Sequence, residues 1–137
     1  MSIPPASRTR RGSSQPQASP ARRRIVVVDD EPRILEIWDS ILTTSGYDVQ
    51  CFPDPVPALE AIAKGCDCVI TDYHLPTMTG VELIRAARSL SKAKFLVMTG
   101  NASDAVAQEA LAAGACCVVH KPTSPPMVLQ KLAGLCG

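Results

Sequence analysis

Three aspartates, a threonine and a lysine stand directly after short apolar runs of this chain. Asp29 and Asp30 follow IVVV, Asp72 follows VIT, Thr99 ends FLVMT, and Lys121 follows CCVVH. If these residues meet, their types restrict the chemistry. Two unit charges about 5 Å apart repel by roughly 3 kcal/mol at an effective dielectric near 20. Three carboxylates together therefore demand a proton or a cation. Hard oxygen donors that leave several positions to water suit Mg²⁺, and less selectively Mn²⁺ or Ca²⁺. An ammonium adds a second positive charge and a hydroxyl adds a donor. A carboxylate nucleophile in that company is equipped for phosphoryl transfer through an aspartyl phosphate, driven by positioning and charge neutralisation.

Each residue has a plainer reading in isolation. Asp29 or Asp30 could cap a helix, Asp72 could belong to a turn, Thr99 to a strand, and Lys121 to the solvated surface. The elements between them decide. Residues 25–28 form a β-branched run, apolar on both faces, as in the middle of a parallel sheet. Pro32 suits the first turn of a helix. Ile34, Leu35, Trp38, Ile41 and Leu42 then make one apolar stripe, closed by Gly46. A second strand is expected at 47–52, followed by a short helix with Val56, Leu59, Ile62 and Ala63 as its inner face. Pro53, Pro55 and Pro57 lie at that helix's start, where they are tolerated. A third strand at 66–71 ends at Asp72, and Pro76 and Gly80 turn the chain into a helix at 81–90. That helix turns Ile84 and Ala87 inward and Arg85 and Arg88 outward. The fourth strand is expected at 95–98 and an Ala-rich helix from Ser103 to Gly114. The fifth strand spans 116–119, and a last helix runs from Ser124 and Pro125 to about Leu132.

Five repeats of strand and helix imply an α/β fold, (βα)5, with a doubly wound parallel sheet and right-handed crossovers. Ligands bind such sheets outside the carboxyl ends of the strands, near a switch in strand order. Asp29, Asp30, Asp72, Thr99 and Lys121 all fall at that edge, which is what separates them from five unrelated surface residues.

The remainder of the chain bounds the answer. Its 137 residues suit one domain, and 46% are hydrophobic, enough for a core. No run approaches 18 apolar residues and no secretory pattern is present, so a cytoplasmic protein without membrane attachment is expected. Residues 1–24 carry six Arg, four Pro, five Ser and no acid. Residues 1–23 are expected to be a disordered tail, since so few bulky apolar side chains cannot offset the entropy of ordering. Residues 24–137 are the folded domain. Beyond residue 24, eight basic and thirteen acidic side chains give −5, which argues against a nucleic-acid-binding core. Six cysteines, at 51, 66, 68, 116, 117 and 136, lack the paired C-x-x-C of a zinc site. They read as reduced thiols filling a core, five of them on expected strands.

IVVVDDEP, VITDYHLPTMTG, FLVMTGNAS and VVHKP, in this order and spacing, resemble the signature segments of the response-regulator receiver domain of two-component signalling. The resemblance covers about residues 24–135. It implies a flavodoxin-like strand order of 2-1-3-4-5. It implies that Asp72 accepts a phosphoryl group from a phosphohistidine on a histidine kinase or a histidine phosphotransfer protein. Asp30 and Asp72 would ligate Mg²⁺ directly, Asp29 through water, and His74 through its main-chain carbonyl. Lys121 would pair with Asp72 and then with a phosphoryl oxygen, and Thr99 would swing its hydroxyl toward that group. Gly100 would leave room for the phosphate, and Pro122 would follow Lys121 in a cis peptide that holds the lysine loop. His74 and Asn101, two residues beyond Asp72 and Thr99, would tune the lifetime of the adduct. His120 reads as an exposed strand-end residue.

The chain departs from the family at Val118, where receivers usually carry Tyr or Phe, and at Thr123, where an aromatic is common. Phosphorylation is still expected to shift the face made by the fourth helix, fifth strand and fifth helix, with Thr99 moving and no ring to follow. With no room for a DNA-binding domain after the last helix, output is expected through a partner protein on that face or by onward phosphotransfer. The chain is expected to be an acceptor that assists its own phosphorylation and dephosphorylation, not an enzyme. One alternative is the receiver segment of a hybrid kinase. Another is an aspartate-nucleophile phosphatase of haloacid-dehalogenase type, but it needs D-x-D after the first strand, where this chain has Asp29-Asp30-Glu31. A flavodoxin-like flavin protein would want a Ser/Thr/Gly-rich phosphate loop in that place, and acids there would repel phosphate.

Overall fold

The structure, a computed structural model, describes residues 22–100, 103–121 and 123–136. Nearly all of the expected tail, together with Asn101 and Pro122, lies outside them. Ten elements alternate along the chain: β1 (Arg24–Val28), α1 (Pro32–Thr44), β2 (Asp48–Phe52), α2 (Pro55–Lys64), β3 (Cys68–Asp72), α3 (Gly80–Ala87), β4 (Lys94–Thr99), α4 (Asp104–Ala113), β5 (Cys117–His120) and α5 (Pro125–Cys136). All four strand pairings are parallel and the order is β2-β1-β3-β4-β5. The (βα)5 sheet with order 2-1-3-4-5 is therefore as expected.

Successive side chains of a strand point to opposite faces, and the two sides of the sheet divide accordingly. Val26, Val28, Val69, Phe95 and Val97 join Ala58 and Ile62 of α2, four residues of α3, and Ala110 and Ala113 of α4. Ile25, Val27, Ile70, Leu96, Met98 and Val119 join Leu35, Trp38 and Leu42 of α1 and Val128 and Leu132 of α5. Thus α2, α3 and α4 cover one face, and α1 and α5 the other. The central runs 25–28 and 68–72 are buried throughout because both faces are covered.

Several local expectations shift. In α2 the buried residues are Pro55, Ala58 and Ile62, while Val56 and Ala63 are exposed. The Asp54 carboxylate accepts from the Val56 amide at 2.8 Å, and this cap starts the helix at Pro55. Counting i, i+3 and i+7 from there rotates the inner face, so that Ile62 stays buried and Leu59 packs against the core as expected, while Pro55 and Ala58 replace Val56 and Ala63. The helix α3 ends at Ala87, not Leu90, and Leu90 is exposed. α5 runs on through Gly134 to Cys136. Glycine there costs about 1 kcal/mol of helix propensity, but Leu135 and Cys136 pack against the core and carry the helix past it. Cys66 and Cys116 precede their strands instead of lying on them, and Cys116 is exposed. Cys68 is fully buried. Burial pushes the Cys51 and Cys66 thiols up to about 11 and Cys68 higher still, so these three stay protonated as small apolar fillers.

Candidate functional site

Registry brings the site together. Val28 is level with Thr71, Asp72 with Met98, and Thr99 with His120. Asp29 continues β1 by donating its amide to the Phe52 carbonyl at 3.1 Å. Its carboxylate turns back into the protein and accepts from the Glu31 amide at 2.9 Å, which fixes the entry to α1. Asp29 is 1% exposed and Asp72 8%, while Asp30 is exposed. One carboxylate oxygen from each of the three lies within 4.8 Å of the others.

Lys121 reaches this cluster from the end of β5. Its Nζ stands 3.3 Å from Asp72 Oδ1 and 3.5 Å from Asp29 Oδ2. The Lys121 amide donates to the Thr99 carbonyl at 2.7 Å, so the ends of β4 and β5 are tied at the site. Thr99 itself is fully buried. His120 is exposed beside it, as expected.

The electrostatic balance is incomplete. Asp29 Oδ2 is buried without a hydrogen-bond donor, and 3.5 Å to an ammonium is an ion pair rather than a hydrogen bond. Burial raises the Asp29 carboxyl above its ordinary value, and Asp72 and Asp30 add to that. The Glu31 amide and the Lys121 charge oppose it. Three carboxylates against one lysine, with an orphaned buried oxygen among them, fit a hard divalent cation such as Mg²⁺. The donors are all oxygen, as that ion requires.

Two features escape a reading of the sequence. The first is Gly80. A Cβ there would lie 2.5 Å from the Asp72 carbonyl oxygen and 3.2 Å from Thr71 Cγ2. Only glycine lets the start of α3 approach the end of β3 this closely, and the Gly80 amide donates to the Tyr73 carbonyl at 2.7 Å. Thr79 and Glu82 add a reciprocal capping box, so the loop from Asp72 to α3 is closed tightly, with His74 bridged to Thr79. The signal was the spacing from Asp72 to a glycine at a helix start, which reads as a simple break. The second feature is the Tyr73 hydroxyl, which donates to Glu109 Oε1 of α4 at 2.8 Å. Nothing local to either residue announces that contact.

Gly100 is exposed, and a Cβ there would meet no atom of the described residues within 4 Å, so their packing does not demand glycine at that position. Val118 is half-buried against the same core face as Tyr73. Asn101 and Pro122 lie outside the described residues.

Residues 25–133 match the family model described as the response regulator receiver domain. The chain is 30% identical over 112 residues to the DNA-binding response regulator MtrA of Mycolicibacterium smegmatis, covering 81% of this chain and 49% of that protein. It is 32% identical over 121 residues to the two-component response regulator ARR2 of Arabidopsis thaliana, covering 86% and 18%. The chain thus spans about half, or less, of the length of these curated relatives. Among solved structures, a CheY-like receiver domain protein from Methanospirillum hungatei superposes with a TM-score of 0.79 at 32% identity, covering 83% of this chain and 93% of that one. The chemotaxis protein CheY4 of Vibrio cholerae gives 0.79 at 32% identity, covering 84% and 99%. With the family matched over most of its length and the strand order and acidic edge in place, this chain belongs to the response regulator receiver domains of two-component systems.

Proposed function

We propose that Asp72 is the phosphoacceptor of a signalling switch charged by a phosphohistidine on a histidine kinase or a histidine phosphotransfer protein. The observation that carries this reading is the Asp72 carboxylate at the end of β3, 3.3 Å from the Lys121 ammonium and clustered with Asp29 and Asp30. An Asp72 oxygen attacks phosphorus, the P–N bond breaks, and its electron pair returns to the imidazole nitrogen. Lys121 holds Asp72 before transfer and pairs with a phosphoryl oxygen after it. The Thr99 hydroxyl turns toward the new group, Gly100 leaves it room, and Pro122 steadies the lysine loop. Asp29, Asp30, Asp72 and the His74 main-chain carbonyl are the set that would hold Mg²⁺, with Mn²⁺ next in fit. Bound there, the ion supplies charge neutralisation during transfer. His74 and Asn101 set how readily water removes the phosphoryl group.

The chain is then an acceptor that assists its own chemistry, not a turnover enzyme. Output runs through a protein that docks on the face of α4, β5 and α5, or by onward phosphotransfer. Cytoplasm is the compartment of this reading, because the ATP that charges such kinases is there. Among the described residues no helix is long and apolar enough to cross a membrane.

The test is intact mass after incubation with Mg²⁺ and acetyl phosphate. One labile phosphoryl group is expected, absent in Asp72→Asn. Steady release of phosphate from simple phosphate esters, surviving that substitution, would overturn the reading in favour of a hydrolase.

A further inference from the structure

The helix α4 is seated lightly. Of its ten residues only Ala110 and Ala113 are buried, and an alanine offers little apolar area to anchor a helix. Leu111 is half exposed. Among the described residues, polar tethers help to fix the helix. At its C-terminus, Arg88, the residue that follows α3, donates to the Ala113 carbonyl at 2.8 Å. At its middle, Glu109 accepts from the Tyr73 hydroxyl at 2.8 Å.

Tyr73 is directly bonded to Asp72 in the chain, and its main chain is clamped on both sides. Its amide donates to Met98 of β4 at 2.8 Å, and its carbonyl accepts from Gly80 at 2.7 Å. Its ring also lies edge-on to His74, with centroids 4.9 Å apart. The phenol is thus a rigid arm from the acceptor's neighbour to a lightly seated helix. Val118 packs on the same core face and carries no ring.

We propose that the Tyr73–Glu109 hydrogen bond is a latch that holds α4 in its resting position and opens when Asp72 is phosphorylated. This rests on the reading of Asp72 as acceptor. A second charge arrives one residue from Tyr73, and Thr99 ends the strand that leads into α4. A pull on Thr99 moves the start of α4, and the helix gives way at Glu109 because so little apolar surface resists. A ligand that favours the open form then binds more tightly once the latch is cut, by the factor that the latch contributed.

The experiment compares the wild-type protein with Tyr73→Phe, which keeps the ring, and Glu109→Gln, which keeps a neutral acceptor. In ligand-free protein, amide exchange across residues 104–113 should quicken about fivefold in Tyr73→Phe and less in Glu109→Gln, the scale of one ordinary, partly solvated hydrogen bond. Exchange in α1 should stay unchanged. With Mg²⁺ present, the affinity for beryllofluoride should rise by a similar factor in Tyr73→Phe. Unchanged α4 exchange overturns the latch whatever Asp72 does. Faster α4 exchange with unaltered beryllofluoride affinity overturns its coupling to the acceptor. Wild-type protein that binds no beryllofluoride overturns the acceptor reading and the coupling with it, while the exchange data still report whether the bond restrains α4.

Discussion

Gly80 lies so close under Asp72 that a Cβ on it would stand 2.5 Å from the Asp72 carbonyl oxygen. The atom in the way is main chain, at the end of a buried strand, and cannot swing aside. Gly80→Ala must therefore push α3 away from β3 or displace Asp72 itself. The expected loss of stability is about 1–3 kcal/mol, read as a lower urea midpoint. Acceptance of a phosphoryl group from acetyl phosphate should slow more than in an exposed control such as Gly46→Ala, which has open space but a positive φ. An alanine variant with unchanged midpoint and rate would show that the close approach is not needed.

Asp29 should be a liability to the cation-free fold. Its carboxyl is raised above the ordinary 3.8, first by burial, so the folded state holds that proton more tightly than the unfolded chain. The group is harmless at low pH, and its stabilising protonated form is lost as pH rises through the raised value. Asp29→Asn should thus gain stability at pH 7 without divalent cations, by about 1–2 kcal/mol for removing an under-paired buried oxygen. The gain should shrink toward pH 3. Adding Mg²⁺ should stabilise the wild-type protein and not the variant. Chemical denaturation at several pH values, with Mg²⁺ and with a chelator, measures both effects.

Lys121 and a divalent cation compete for the same carboxylates. The lysine is 3.3 Å from Asp72 and 3.5 Å from Asp29, and its side chain is part-buried. Lys121→Met should raise Mg²⁺ affinity about fivefold, the scale of one neighbouring charge screened nearly as in water. It should slow phosphoryl acceptance in the same protein. Calorimetric titration with Mg²⁺ beside the acetyl phosphate reaction separates the two, and parallel losses in both would contradict this account.

The capping box at Thr79 holds the entrance to α3. Its side chain accepts from the Glu82 amide at 3.1 Å, and the Glu82 carboxylate accepts from the Thr79 amide at 2.8 Å. Thr79→Ala should cost about 1 kcal/mol. The loss should add to that of a distant change such as Asp54→Ala at the start of α2, since the two caps share no partner. A double variant measured by thermal unfolding tests this.

The sheet and its acidic edge could be read from the chain because the signals are local. A β-branched run followed at once by Asp29, or by Thr71 and Asp72, marks both strand and edge. Strict alternation with helices then puts every such end on one side. Other features depend on where distant segments meet. The inner face of α2 turned on which of three prolines follows the Asp54 cap, and periodicity alone favoured Val56 and Ala63. α5 outran its expected end because packing of Leu135 and Cys136 outweighs the helix weakness of Gly134. The Gly80 approach and the Tyr73–Glu109 bond join residues whose neighbours in sequence carry no trace of the contact. Local pattern thus located the chemistry, and tertiary packing decided what is attached to it.

The lone tryptophan has a use that its burial creates. Trp38 is 6% exposed on α1, within the core on the side of the sheet opposite α4. Its indole emission is therefore an optical gauge of the whole fold that is screened from displacement of α4 by five strands. A variant that loosens α4 alone should leave the emission spectrum in place, and one that melts the domain should shift it to the red.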